Sequence, residues 1–390
     1  MSIEHAALLA KHRDLLFERP LLSERALEAR GWAAPLAALD APELARLEEG
    51  GLLVPWPAAL PNDLHELVAE ARALTTFPEL ERQALRPLRR RESPRKLRQI
   101  AALAHEVEQL AGDCDRVVDV GAGHGHLARE LASTLGRPVV AIDRDPRLLA
   151  EAARLGGPRE LSLRQLDVRP GSLELGRRDC VVALHACGEL SDAIVREVGA
   201  AGARLALVGC CLQKRASPTR EPLAPLGPAL DLAVPRAVLG VSNVVAGAEG
   251  VESTRRENLE ARLSRVVLLE LLRDRDPSAP LGSELRGLNR RAAHLPLEEL
   301  VERAFAARGW SPPTAQRCAE VLDRSRVRFD RARRLSLPRA VLGRVLEAFV
   351  ATDRARHLER VGFEVRVVVA FPPQVSARNL LLLAKPARGG

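Results

Sequence analysis

One stretch narrows the folds open to this chain more than any other: Val117–Leu127, read VVDVGAGHGHL, followed by the apolar run VVAID that ends in Asp143. A short apolar run of this kind predicts a buried strand. Gly121, Gly123 and Gly125 come at every second position behind it. With no Cβ atoms they let the backbone turn sharply and approach a ligand closely. HLARELASTL then reads as a helix and VVAID as a second strand closing on an acid. Strand, glycine turn, helix, strand and acid make up the opening unit of an open α/β sheet that holds a nucleoside-bearing ligand. A tight βα turn with no ligand is the plainer alternative.

The details choose among such ligands. A dinucleotide fingerprint is G-x-G-x-x-G, with the third glycine placed for helix–strand packing. Here that place is held by His126. Asp119 stands before the loop, suited to accept from a ligand ammonium, a group that S-adenosylmethionine carries and NAD lacks. Asp143 lies 22 residues beyond Gly121, the spacing of the acid that takes the ribose hydroxyls at the tip of the second strand. The pattern therefore points to S-adenosylmethionine. His124 and His126 read more readily as packed or solvated loop residues than as catalysts.

From residue 115 onward strand candidates alternate with helices: RVVDV, VVAID, LSLRQLDV, CVVALHA and ARLALVGC, then FEVRVVVAF and RNLLLLAK near the end. Such a series implies a mostly parallel sheet with helices on both faces. The last two strands are separated by PPQVSA, too short for a parallel crossover, so they pair antiparallel. The expected fold is α/β, a Rossmann-like seven-stranded sheet of the Class I methyltransferase plan with an antiparallel C-terminal hairpin. Four segments follow: a helical N-terminal region (1–85), a cofactor-binding core (86–214), a mostly helical insertion as substrate cap (215–360) and the hairpin completing the sheet (361–390). Within the insertion, 215–235 reads as a loop, and 254–274, 296–308, 312–334 and 337–360 as helices. Ser93-Pro94 reads as an N-cap and first helical residue, opening a helix that runs to about Leu110.

Ligands of open α/β sheets bind outside the carboxyl ends of the strands. The third strand ends near Asp167, placed to accept from an adenine amino group. The fourth ends in LHACGELSD (184–192) and the fifth in GCCLQK (209–214). His185 is placed to take a proton from an acceptor, and Cys187 shares its face if the segment stays extended. Cys210 and Cys211 close the neighbouring strand. No metal is expected: H-x-C plus an adjacent Cys-Cys pair is poor ligand spacing, because neighbours in a strand point oppositely. Cysteines acting as small apolar fillers are the simpler reading.

Composition bears on partners. The 390 residues carry a formal charge of +8 with a pI near 9.8, which favours an anionic partner. Arginine supplies nearly all the cations, lysine standing only at Lys11, Lys96, Lys214 and Lys385, so part of the charge reflects residue usage. The densest basic run is 86–98. It is either a solvated face or a phosphate-contacting patch for RNA through Arg89, Arg90, Arg91, Arg95 and Lys96. The absence of tyrosine and scarcity of other aromatics argue against a stacking platform for unpaired bases. No apolar run approaches the ~20 residues of a membrane span, so no membrane partner is expected. Six scattered cysteines and an acidic, amphipathic N-terminus predict reduced thiols in a cytoplasm.

A wider pattern adds a resemblance. SPRK (93–96), DVGAGHGHL (119–127), LHACGELSD (184–192), GCC (209–211), TDRARHLE (352–359) and SARNLLLLA (376–384) occur in this order. In that combination the chain resembles the methyltransferase-like 25 proteins and their relatives named for a ribosomal-RNA adenine dimethylase domain. More distantly, H-x-C-G is similar to an element of a tRNA 2′-O-methyltransferase group. The resemblance implies S-adenosylmethionine dependence and a Class I fold. It departs from adenine-N6 enzymes, since LHACG stands where Asn-Pro-Pro-aromatic would. Three functions follow as expectations: methylation of RNA, methylation of a protein or small molecule, or non-catalytic binding of the cofactor. The sequence leaves the acceptor atom and the oligomeric state open.

Overall fold

The structure is a computed structural model that describes residues 1–18, 24–80, 94–227, 230, 232–242, 255–373 and 375–387. The strands are β1 (Arg116–Val120), β2 (Val139–Asp143), β3 (Leu161–Gln165), β4 (Asp179–Cys187), β5 (Arg204–Cys210), β6 (Thr219–Arg220), β7 (Val234–Pro235), β8 (Phe363–Val369) and β9 (Leu380–Pro386). Seven of them form one sheet in the order β3-β2-β1-β4-β5-β9-β8. Neighbours among β1–β5 run parallel, while β9 runs antiparallel to both β5 and β8. This is the mixed sheet with an antiparallel C-terminal pair that the strand series and the short connector predict.

Alternation along the strands decides the layers. Val117, Cys180, Val182, Ala206 and Val208 pack with helices Pro94–Leu110 and His126–Leu135 on one face. Val118, Val120, Val181, Ala183, Leu205 and Leu207 pack with helix Glu189–Ala201 and the end of helix Leu337–Arg360 on the other. Arg116 and Asp179 fix the β1–β4 register at its start, Nε and Nη2 each donating to one carboxylate oxygen at 2.9 and 2.8 Å. The helix at Pro94–Leu110 and the four late helices Arg255–Arg273, Leu297–Ala306, Ala315–Leu335 and Leu337–Arg360 stand where sequence periodicity predicts them. Segment 215–235 is not a plain loop: β6 and β7 pair antiparallel within it.

The chain divides into two compact units. One comprises 1–17, 66–246 and 339–390 and contains the seven-stranded sheet. The other comprises 18–65 and 247–338. This division crosses the four segments expected from sequence: 18–65 joins most of the expected insertion, and 339–360 joins the sheet. Helix Leu337–Arg360 explains the second difference, because its Ala355 and Leu358 are buried against β4, β5 and β9. The second unit is helical among its described residues. Leu268, Leu271, Leu300, Val301, Phe305 and Val321 form its core, and Trp310 stacks edge-on to Phe305. A capping box at Asp40 and Glu43 opens one of its helices, and Arg333 Nη2 pairs with Glu48 at 2.7 Å. No helix among the described residues is long and apolar enough to cross a membrane.

Candidate functional site

The glycine loop lies at the carboxyl end of β1. Gly121, Gly123 and Gly125 take φ of 75°, 56° and 67°, the left-handed region that glycine enters at no steric cost. The N–H groups of Gly121 and Ala122 both donate to the Ile142 carbonyl, at 2.8 and 3.0 Å, which ties the loop to β2. Asp143 closes the same corner. Its Oδ2 accepts from the Gly123 N–H at 2.8 Å and its Oδ1 from the Asp145 N–H at 3.0 Å. A carboxylate offers about four acceptor directions, so two remain for ribose hydroxyls.

Asp119 sits beneath the loop, only 2% exposed. Burial, first, and then the Asp143 charge raise its pKa to about 7, against the Ala128 N–H that favours its charged form. Its Oδ2 is buried with no hydrogen-bond partner. A buried acceptor without a donor is costly, and an ammonium is the donor that satisfies it best. Sequence reading missed the residue that steadies this loop. Arg129 is buried, and its guanidinium donates to the carbonyls of His124, Gly125, Ala152 and Gly156. An arginine on the apolar side of an amphipathic helix was its one signal. His124 reaches Glu151 at 2.6 Å, in keeping with a surface loop residue. Asp167 lies past the end of β3, 54% exposed and paired with Arg169 at 3.1 Å.

The carboxyl ends of β4 and β5 form the second half of the site. The β4–β5 register slips between Leu184 and Ala186, and His185 takes φ of 64°. His185 is the extra residue of a bulge. Val181, Ala183 and Ala186 face one layer while Cys180, Val182 and Leu184 face the other, so the bulge breaks the alternation at His185. The expectation that His185 and Cys187 share a face therefore fails, because the segment is not extended there. The His185 ring meets Gln99 on helix Pro94–Leu110, Nε2 lying 3.1 Å from Oε1, and the Cys187 thiol meets Cys210 instead. Gln99 is buried and its amide nitrogen donates to the Val375 carbonyl, which leaves Oε1 to accept from Nε2.

The expectation that Cys210 and Cys211 point apart also fails. Cys211 takes φ of 37°, and the sulfurs of Cys187, Cys210 and Cys211 all lie within 4.8 Å of one another. Hydrogen bonds from Cys187 and Cys210 hold the Cys211 thiol far below the usual range, while those shared bonds and burial push Cys210 up. The two strand ends are strapped together. Gly188 N–H donates to the Cys210 carbonyl and Glu189 N–H to that of Lys214, both at 3.1 Å. A Cβ at Gly188 would stand 2.1 Å from the Lys214 carbonyl oxygen, so only glycine fits.

Beneath the strap lies a buried ion cluster that sequence reading did not foresee. Arg220 bridges Asp192 (3.2 Å) and Asp353 (2.8 Å), and Arg354 Nε donates to Asp192 at 2.9 Å. Burial works to raise the pKa of Asp192, yet Arg220 and Arg354 hold it well below the carboxylate range. Arg354 also donates to the Gly188 carbonyl. LHACGELSD and TDRARHLE, far apart in sequence, are thus one assembly. Of the basic run, Arg89, Arg90 and Arg91 lie outside the described residues. Arg95 donates to the Val375 carbonyl at 2.6 Å, tying helix Pro94–Leu110 to the turn before β9.

Similarity to known proteins follows the same lines. Residues 95–217 match a family described as a methyltransferase domain. A glutathione S-transferase C-terminal domain-containing protein homolog of Drosophila pseudoobscura pseudoobscura is 31% identical over 121 residues, which is 30% of this chain but only 20% of the fly protein. Among solved structures, the glycopeptide N-methyltransferase MtfA aligns at 19% identity and a TM-score of 0.23, over 31% of this chain and 63% of that one. Coclaurine N-methyltransferase, bound to N-methylheliamine and SAH, aligns at 15% identity and a TM-score of 0.29, over 78% of this chain and 94% of that one. The strand order and the family match agree: residues 95–217 match a methyltransferase domain, and β8 and β9 complete its strands into a seven-stranded Rossmann-like sheet.

Proposed function

We propose that this chain transfers a methyl group from S-adenosylmethionine to RNA. The observation that carries the cofactor half is the corner formed by the glycine loop, Asp119 and Asp143. Asp143 retains acceptor directions for two ribose hydroxyls, and the enclosed Oδ2 of Asp119 takes the methionyl ammonium once the loop shifts to admit it. Asp167 accepts from the adenine amino group after releasing Arg169. The cofactor supplies a methyl group on a positive sulfur, so the residues around it have chiefly to position the acceptor. His185 takes the acceptor's proton where the nucleophile starts protonated, with Gln99 meeting its Nε2. Cys187, which faces Cys210 rather than His185, supports the strand end.

RNA as acceptor is favoured by the charge of +8 and by the basic run 86–98. The distant similarity of H-x-C-G to an element of a tRNA 2′-O-methyltransferase group belongs to the same reading. The test is transfer of labelled methyl from S-adenosylmethionine into fractionated extract of a strain lacking the protein, with Asp143→Ala run beside wild type. Label removed by ribonuclease is the expected result. Label removed by protease assigns a protein acceptor instead, and no label above the Asp143→Ala background overturns transfer to a macromolecule.

A further inference from the structure

Three thiols at the ends of β4 and β5 have no part in the methyl transfer derived above. Cys187 and Cys210 sulfurs are 3.1 Å apart, and Cys211 joins them within 4.8 Å. Neighbouring strand residues point to opposite faces, so Cys210 and Cys211 converge only because Cys211 turns into the left-handed region at φ 37°. Such conformations are strained in any residue but glycine and persist only where the surroundings enforce them. Here the surroundings are backbone: the Gly188–Cys210 and Glu189–Lys214 hydrogen bonds, and Lys214 N–H donating to the Cys211 carbonyl at 2.8 Å. Cysteines that merely fill space need neither the strain nor the convergence. Cys187 and Cys211 are moreover only half-buried.

We propose that Cys187, Cys210 and Cys211 are ligands of a zinc ion whose fourth position is open to water or to an acceptor atom. A tetrahedral zinc with Zn–S bonds of about 2.3 Å sets its sulfurs about 3.8 Å apart. The present separations, 3.1 Å for Cys187–Cys210 and no more than 4.8 Å for any pair, lie within a short adjustment of that value. Thiolates select zinc over magnesium or calcium, and zinc tolerates the small adjustments required. Three thiolates around a divalent ion leave one negative charge, and Lys214 and Arg378 are the cations whose fields reach Cys211. Among the described residues no fourth histidine, cysteine or acid completes the set. Three protein ligands and an open place are the pattern of zinc sites that act on a bound molecule rather than staple a fold. The carboxyl edge of the sheet, where β4 lies beside β1 and its glycine loop, is the edge at which such a molecule arrives.

The test uses the full chain purified under reducing conditions. Metal content is measured by mass spectrometry, and cobalt(II) is titrated into metal-stripped protein. Cys187→Ser and Cys211→Ser are compared with Cys318→Ser, which lies in the other unit. One zinc per chain is expected in wild type and Cys318→Ser, falling to near zero in the two site variants. Cobalt should give the intense thiolate charge-transfer bands of a tetrahedral site in wild type and Cys318→Ser, and not in the two site variants. Should the variants not fold, alkylation of wild type decides: zinc should slow modification of these three cysteines and leave the rate at buried Cys318 unchanged. Failure of reduced wild type to bind zinc or cobalt, or a Cys187–Cys210 disulfide in freshly lysed cells with no metal, overturns the proposal. None of these readouts needs methyl transfer, so the site and the proposed function stand or fall separately.

Discussion

The two halves of the site solve the same problem with different residues. At the end of β1 every left-handed position is a glycine: Gly121, Gly123 and Gly125. At the ends of β4 and β5 two left-handed positions are His185 and Cys211, the described non-glycine residues with positive φ. A cofactor loop needs its backbone near the ligand, and glycine gives that without strain. At the β4–β5 edge the turns carry His185 and Cys211 instead, and bear the strain. The first half is flexible by composition and is braced by Arg129 and Asp143. The second is rigid by construction, braced by the Gly188 strap and the Asp192–Arg220–Asp353–Arg354 cluster.

The largest effect that tests this contrast falls on His185. His185→Ala should leave cofactor affinity unchanged and lower turnover by about 10²–10⁴-fold, the usual worth of a general base. Turnover within twofold of wild type, measured with saturating cofactor, would make the strained histidine structural. Asp192→Ala comes next. It leaves Arg220 and Arg354 buried without their shared counter-charge, and should cost about 3–5 kcal/mol in denaturant unfolding. Because the folded state holds the pKa of Asp192 low, its contribution is complete above the ordinary carboxylate range and is lost as pH falls through and below it. The wild type and the variant should therefore converge in stability in acid.

Asp143→Ala strikes the other half. It removes the proposed ribose acceptor together with the anchor of Gly123, and should weaken S-adenosylmethionine binding about a hundredfold by calorimetry. A pair of glycine substitutions sharpens the comparison further. Gly188→Ala brings a Cβ to 2.1 Å from a carbonyl oxygen, whereas Gly123→Ala meets no atom within 4 Å. The first should cost more than about 2 kcal/mol of stability and the second about 1–2, the conformational strain alone. Equal losses in thermal or denaturant melts would show that the strap is not the rigid part.

Asp119 gives the most gradual effect. Its folded pKa is raised to about 7, so the cofactor-free protein loses stability as pH rises from about 4 to about 7, where the buried carboxyl is forced to ionise. An ammonium reverses that preference. Cofactor affinity should fall by about tenfold per unit below pH 7, with a proton released on binding, and Asp119→Asn should abolish both dependences. Calorimetry in buffers of different ionisation heat measures the proton directly. A flat profile across pH 5–8 would remove Asp119 from the ammonium site.

Sequence by itself determined the sheet and the glycine-loop corner of this protein. The glycine triplet, Asp119, Asp143 and the short link between β8 and β9 sit in local stretches whose spacing already dictates backbone geometry: φ above zero calls for glycine, and a short connection forces an antiparallel pair. What the fold decided instead was which distant segments meet. Alternation along β4 predicts His185 and Cys187 on one face, and only pairing with β5 inserts the bulge that parts them. Cys210 and Cys211 read as opposed neighbours, and only the Gly188 strap turns them toward Cys187. Asp192 and Asp353 stand 161 positions apart, and nothing local marks either as buried. Their partners Arg220 and Arg354 carry the commonest charge in the chain, so composition hides them. A burial cost met by a counter-charge from another segment leaves no periodic trace along the chain, and it becomes visible only when the segments are packed together.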